Sequence, residues 1–203
     1  MNGFASDVAF TQTVKALQEK RGSRSHYEDR DFRDRIDADI AAFIAERNSF
    51  YLATANAEGQ PYIQHRGGPK GFLRVLDEKT LAFADYTGNH QYITSGNLAE
   101  NDRAYIFLMD YATRARVKIW GHASTSDDKA VIAGLMPEGY RARPLQAIVF
   151  TVTALDTNCQ SHIPQKFDAE DVQGALAHLQ AKIDALEAEL AAYKAQTPDA
   201  LDR

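Results

Sequence analysis

Between Phe50 and Leu155 the chain reads as short β-rich segments separated by turn signals, without a helix after each one. Phe50 to Thr54 is rich in strand formers, Asn56 to Gly59 marks a turn, and Pro61 to Gln64 resumes an extended course, which together spell a hairpin. Phe72 to Leu76 and Leu81 to Ala84 form a second pair around Asp77 to Thr80. Ala104 to Met109 is almost continuously apolar, which predicts a strand buried on both faces. Ala115 to Ala123 alternates instead. Val117, Ile119 and Gly121 share one side, and Arg116, Lys118, Trp120 and His122 the other. Leu145 to Leu155 is the last long strand. Six to seven strands joined this way argue against a doubly wound parallel sheet. They predict a mostly β protein, a small antiparallel barrel or sandwich with peripheral helices.

Helical periodicity flanks and interrupts this region. Val8 to Lys20 carries a moderate signal, and Phe32 to Arg47 places Ile36, Ile40, Phe43 and Ile44 on one stripe. Shorter helices are expected at His90 to Leu98 and Asp127 to Leu135. In the tail, Val172, Leu176, Leu179, Ile183, Leu186, Leu190 and Tyr193 follow heptad spacing. That stripe suits a parallel two-stranded coiled coil, or equally a helix lying on the barrel of its own subunit.

A chain of 203 residues can bury one substantial core, and 25% charged with 44% hydrophobic residues is ordinary for a globular protein. No apolar run approaches the roughly 20 residues of a membrane span. The opening MNGFASDVAF has neither the basic nor the apolar region of a secretory signal. Cys159 is the only cysteine, so no internal disulfide can form, and a reducing cytoplasm is the expected location. The net charge of -5 comes from the tail, while residues 1–166 balance twenty cations against twenty acids. Nucleic-acid binding, which needs a large basic footprint, is therefore not expected.

The basic residues are nevertheless placed unevenly. HRGGPKGF (His65 to Phe72) sets Arg66 and Lys70 beside Gly67 and Gly68, and no carboxylate occurs from Gln60 to Leu76. Arginine, lysine and bare backbone N–H groups are what a phosphate needs, although a solvated basic loop would read the same. A second acid-free stretch, Tyr111 to His122, carries Arg114, Arg116 and Lys118. Between them lie Thr87, Gly88, Asn89, His90, Gln91, Thr94 and Ser95. There Asn89 could cap the following helix, and Gln91 and Ser95, four apart, would share a helix face. No HExxH, CxxC, G-x-S-x-G or G-x-G-x-x-G pattern occurs, so neither a zinc enzyme nor a Rossmann dinucleotide site is expected.

Taken in order, FYLATANAEGQPYI (Phe50 to Ile63), HRGGPKGF, FADYTGNHQYITSGNL (Phe83 to Leu98), RARVKIWGHA (Arg114 to Ala123) and TNCQSHIPQKF (Thr157 to Phe167) resemble the FMN-binding split barrels related to pyridoxamine 5'-phosphate oxidase. The resemblance covers roughly Ile40 to Leu155. It implies a split β-barrel of six to seven antiparallel strands with peripheral helices and a long C-terminal helix. The implied parts are a helical arm over 1–35, an FMN-binding barrel over 36–166 and a heptad-patterned helix over 167–203. It further implies a homodimer with FMN at the interface. Arg66, Lys70, Gly67 and Gly68 would hold the phosphate, and Thr87, Asn89, Gln91 and Ser95 would add contacts. Arg116, Lys118 and Trp120 would lie along the flavin edge, the alternative being a solvated face whose tryptophan packs under a loop. Asn89 and His90 stand where the oxidase carries arginine and lysine, and the tail has no counterpart of its arginine-containing pyridoxal phosphate-recognition sequence. The expected function is an FMN-dependent oxidoreductase acting on an unidentified small substrate, a nicotinamide being one option for electron donor. No residue stands out as its acid or base. The alternative is a non-catalytic flavin- or haem-binding or sensing module.

Overall fold

The structure is a computed structural model that describes residues 3–157 and 161–196. The thiol of Cys159 lies outside the described residues. The chain divides into two compact units, one of residues 1–110 and 114–163 and one of 111–113 and 164–203.

The first unit opens with a 3₁₀ turn and two short helices, α1 (Gln12–Lys20) and α2 (Arg24–Tyr27). Next comes α3 (Ala38–Ala45), capped by the Asp37 carboxylate, which accepts from the Ile40 N–H at 2.9 Å. α3 is shorter than the stripe from Phe32 suggests. The Arg33 carbonyl accepts from the Leu155 N–H, and the Ile36 N–H donates to the Glu78 carbonyl, so this stretch runs extended along the sheet. Ile40 and Ile44 are the buried residues of α3.

The strands are β1 (Ser49–Ala55), β2 (Pro61–Gly67), β3 (Arg74–Asp77) and β4 (Thr80–Tyr86), followed by α4 (Ile93–Glu100). Then come β5 (Arg103–Asp110), β6 (Ala115–Ser126), α5 (Lys129–Leu135) and β7 (Pro144–Thr157). They form a seven-stranded antiparallel sheet in the order β2-β1-β5-β6-β7-β4-β3. The sheet is open, which corrects the split barrel expected from the sequence. Closure would require the two end strands to pair, but β2 pairs with β1 alone and β3 with β4 alone. The chain leaving β2 does not continue pairing. It turns to bury Phe72 and Leu73, and β3 then holds only four residues with a register shift between Val75 and Asp77. Side chains bridge the gap instead. Phe50 of β1 stacks on Phe72 and meets the ring of Phe83 on β4 edge-on.

β5 alternates between buried and half-buried residues, so it is not buried on both faces as its composition suggests. β6 alternates as expected, with Val117, Ile119 and Gly121 buried. The β6–β7 register slips by one residue between Trp120 and Gly121, leaving Thr153 as the extra residue of a bulge whose hydroxyl donates to the Trp120 carbonyl at 3.0 Å. A side chain at Gly121 would meet the Thr151 carbonyl oxygen at 2.1 Å, so the strands approach this closely only because the residue is glycine.

In the second unit, the Lys166 N–H donates to the Tyr111 carbonyl at 3.3 Å, and its ammonium lies 4.7 Å from the Tyr111 ring. α6 (Ala169–Gln196) follows. The expected coiled coil is not present: it needs a second helix to receive the apolar stripe, and from Val172 to Tyr193 every stripe residue is exposed, by 43% to 65%. Among the described residues no helix is long and apolar enough to cross a membrane.

Candidate functional site

β4 is buried along both faces from Leu81 to Asp85, so Asp85, 6% exposed, is a carboxylate removed from water. Such a charge is tolerated only when paired and hydrogen-bonded. Arg66, reaching across from β2, supplies the pair through Nη1 and donates from Nη2 to Thr94 Oγ1 at 3.1 Å. Gln146 of β7 completes the arrangement, its Nε2 donating to Asp85 Oδ2 at 3.0 Å and to Ser95 Oγ at 2.7 Å. Asn97 fixes α4 to the sheet by donating to the Thr54 hydroxyl at 3.0 Å. β2, β4, β7 and α4 thus converge on one buried polar network.

The segment before α4 folds back over this network. The Thr87 N–H donates to the Arg143 carbonyl at 2.9 Å, and the Asn89 carboxamide oxygen accepts from the Gln91 N–H at 3.2 Å. His90 and Tyr92 both adopt left-handed backbone, with φ of 58° and 53°. Outside glycine this conformation costs about 1 kcal/mol or more per residue, and such strain concentrates at binding sites. Tyr92, not Asn89, occupies the cap position of α4 and gives no side-chain cap, so the first-turn N–H groups keep their donor capacity. Gln91 precedes the helix and does not share a face with Ser95.

Two adjoining cavities result. One, of about 160 Å³, is lined by Gln64, Arg66, Asn89, Gln91 and the Tyr92–Ser95 turn among others. The second, of about 200 Å³, includes His65, Gly67 and Phe83 and shares Gln64, Arg66, Asp85, Tyr86 and Gly88 with the first. On these shared walls, Arg66 Nε and Tyr86 Oη are buried without a hydrogen-bond partner among the described residues. Burial holds the Tyr86 phenol above its usual pKa, with Tyr140 adding to the rise and Arg74 opposing it.

Of the residues expected to bind a cofactor, Arg66, Gly67, Asn89, Gln91 and Ser95 are therefore brought together. The others are not on these walls. Lys70 is exposed, 3.7 Å from Glu46. A side chain at Gly68 would press on Phe72 at 2.7 Å, so this glycine serves packing. Thr87 contributes its backbone to the loop. Lys118 pairs with Asp156 at 2.9 Å, and Trp120 stacks on Phe32 at 5.4 Å, both lining a different cavity that shares no residue with the first two. Arg116 lies on the same strand face with its Nε buried and without a partner among the described residues.

Each acid-free stretch thus meets carboxylates in space: Asp85 on Arg66, Glu46 near Lys70 and Asp156 on Lys118. Sequence reading missed Asp85 and Gln146. Their signal is a lone polar residue inside an apolar strand, as in LAFADY and PLQAIVF.

Residues 36–159 match the family described as pyridoxamine 5'-phosphate oxidase, and the chain belongs to that family. Membership supports a flavin-associated function in general terms. Among solved structures, HupZ from Group A Streptococcus is similar, at 20% identity and a TM-score of 0.51, over 64% of this chain and 99% of that one. A point variant of HupZ matches at 19% identity and a TM-score of 0.50, over 61% and 99%. An FMN-binding protein from Syntrophomonas wolfei matches at 11% identity and a TM-score of 0.46, over 71% and 97%. The two HupZ likenesses bear on the fold alone. No curated protein matches the chain.

The Arg66 cavities fit one end of FMN. Unpartnered donors, an uncapped helix turn and the amides of Asn89 and Gln91 suit phosphate and ribityl oxygens. Each cavity is smaller than the roughly 300–1,000 Å³ that encloses a whole ligand of cofactor size.

Proposed function

We propose that the protein is an FMN-binding module that holds the cofactor by its phosphate end at Arg66 and supplies no acid–base machinery of its own. The observation that supports this best is the pair of buried atoms, Arg66 Nε and Tyr86 Oη, which have no partner among the described residues and lie on shared walls. Each such group costs about 1–3 kcal/mol until a ligand oxygen meets it. In this reading Arg66 and the first turn of α4 take the phosphate, and Asn89 and Gln91 take neighbouring hydroxyls. Gly67 and Gly88 leave the backbone open to the ligand, and Ser95 keeps Gln146 in place. FMN, when bound, supplies hydride chemistry at its ring. The surrounding side chains grip and orient. Asp85, the carboxylate on these walls, is already engaged by Arg66 and Gln146, which leaves it poorly placed to move a proton.

Residues 36–166 form the cofactor-binding part in this proposal, with 1–35 an arm and 167–203 an appended helix. The flavin ring, extending beyond the two cavities, would be covered by a second copy in a homodimer of twice 22.6 kDa.

The test is a titration of the purified chain with FMN and with riboflavin, followed by anaerobic addition of NADH or NADPH. FMN should bind about 30-fold more tightly than riboflavin, which lacks the phosphate, and stay oxidised. Bleaching by either nicotinamide would replace the module with an oxidoreductase. Equal affinity for the two flavins would remove the phosphate anchor.

A further inference from the structure

A larger cavity, of about 470 Å³, lies where the N-terminal arm crosses β6 and the end of β7. Its aromatic walls are contributed by Phe10, Tyr27, Phe32 and Trp120. The rings pack in series: Trp120 on Phe32 at 5.4 Å, Phe32 against Phe10 at 5.2 Å, and Phe10 against Tyr27 at 5.5 Å. Tyr105 closes the series from behind, edge-on to Trp120 at 5.0 Å. Protein interiors seldom leave voids larger than a water molecule, whereas ligand pockets measure roughly 300–1,000 Å³ and are predominantly apolar. The arm therefore roofs a space of ligand size instead of packing into it.

The charges decide what such a ligand must carry. Lys118 is neutralised by Asp156 at 2.9 Å, and its ammonium lies 5.4 Å from the Trp120 ring centre. This side of the cavity carries no net charge. Arg30 differs: it lines the cavity, is exposed, and its guanidinium has no hydrogen-bond or ion-pair partner among the described residues. A planar guanidinium beside aromatic walls binds carboxylate, sulfonate or phosphate oxygens two at a time. We propose that this cavity is a second ligand site, which takes a planar aromatic molecule bearing one anionic group. The rings receive its plane and Arg30 its charge. The proposal does not rest on the FMN reading, because this cavity and the Arg66 cavities have no lining residue in common.

Anilinonaphthalene sulfonate, an aromatic anion of suitable size, is the probe. Trp120 is the only tryptophan in the chain, so quenching of its emission reports this cavity. The full chain should bind the sulfonate saturably, one per chain, with Trp120 quenched. Arg30→Gln should weaken the sulfonate about tenfold while leaving uncharged phenylnaphthylamine within about twofold. Ala9 also lines the cavity, so Ala9→Phe should abolish binding of both probes with the circular dichroism unchanged. Sulfonate binding without quenching, or binding unaltered in Arg30→Gln, would overturn the proposal. Stoichiometric displacement by FMN would overturn the separateness of the two sites.

Discussion

The Arg66 and Trp120 cavities open on the same sheet but are built by opposite means. Around Arg66 the walls are polar and held by hydrogen bonds from β2, β4, β7 and α4. Around Trp120 they are ring faces and edges, and the half-buried Lys118 and Asp156 form a cross-strand pair. The first arrangement fixes directions, because a guanidinium bonded on two sides has little freedom to turn. The second fixes a shape and leaves direction to one exposed arginine. An acid-free stretch of sequence therefore need not be a positive site in space. Arg66 and Lys118 both come from such stretches, and both are neutralised by carboxylates remote in the chain.

The largest effect is expected from removing Asp85. Asp85→Ala leaves Arg66 buried without its counter-charge, which should cost about 3–5 kcal/mol in urea unfolding. Added FMN should recover part of that loss by presenting new oxygens to the guanidinium. A loss below about 1 kcal/mol would show that Arg66 is not held as described. In the other region, Phe32→Ala removes the stacking partner of Trp120 and should cost about 2–3 kcal/mol. It should shift Trp120 emission to longer wavelength and leave FMN affinity within about twofold. A large loss of FMN affinity would join the two regions into one site. Arg66→Ala should weaken FMN by about 2 kcal/mol, roughly 30-fold, and riboflavin far less.

A smaller effect is expected in alkali. Burial pushes the Tyr105 phenol from 10.0 up to about 12, with Asp156 adding to the rise and Arg116 opposing it. Between these values the unfolded chain has lost the proton while the folded one keeps it, so stability should fall as pH rises through that window. Tyr105→Phe should remove this part of the alkaline loss in paired unfolding curves. Least of all should follow from Lys70→Ala, about 0.5 kcal/mol or less, since Lys70 and Glu46 are both more than half exposed. Its FMN affinity should stay close to that of the natural chain, and a 30-fold loss would return Lys70 to the phosphate.

What the sequence made legible was local. Both hairpins could be read because Asn56 to Gly59 and Asp77 to Thr80 carry their own turn chemistry. The face of β6 followed from alternation alone. Features set by partners far along the chain were not legible. The helix expected from Phe32 loses its first turn to backbone bonds with Leu155 and Glu78. β5 read as fully buried because Tyr105 and Phe107 count as apolar, while their large rings stay half-exposed. Whether the sheet closes depends on two end strands, neither of which encodes the absence of the other. Among the residues that line the first cavity, Arg66, Asn89, Gln91 and Ser95 stood out by residue type. Asp85 and Gln146, which organise Arg66, were visible only as polar residues in apolar strands, with no hint of each other.

β7 reaches both regions, with Gln146 in the Arg66 network and Asp156 beside Lys118. Ten residues of strand at about 3.3 Å each set these ends roughly 30 Å apart. That distance is several times the ~8 Å screening length of physiological salt. Charge arriving at one end is therefore electrostatically silent at the other. Any coupling between the ends would have to pass through packing in the sheet, and the Thr153 bulge is the one break in the β6–β7 register between them.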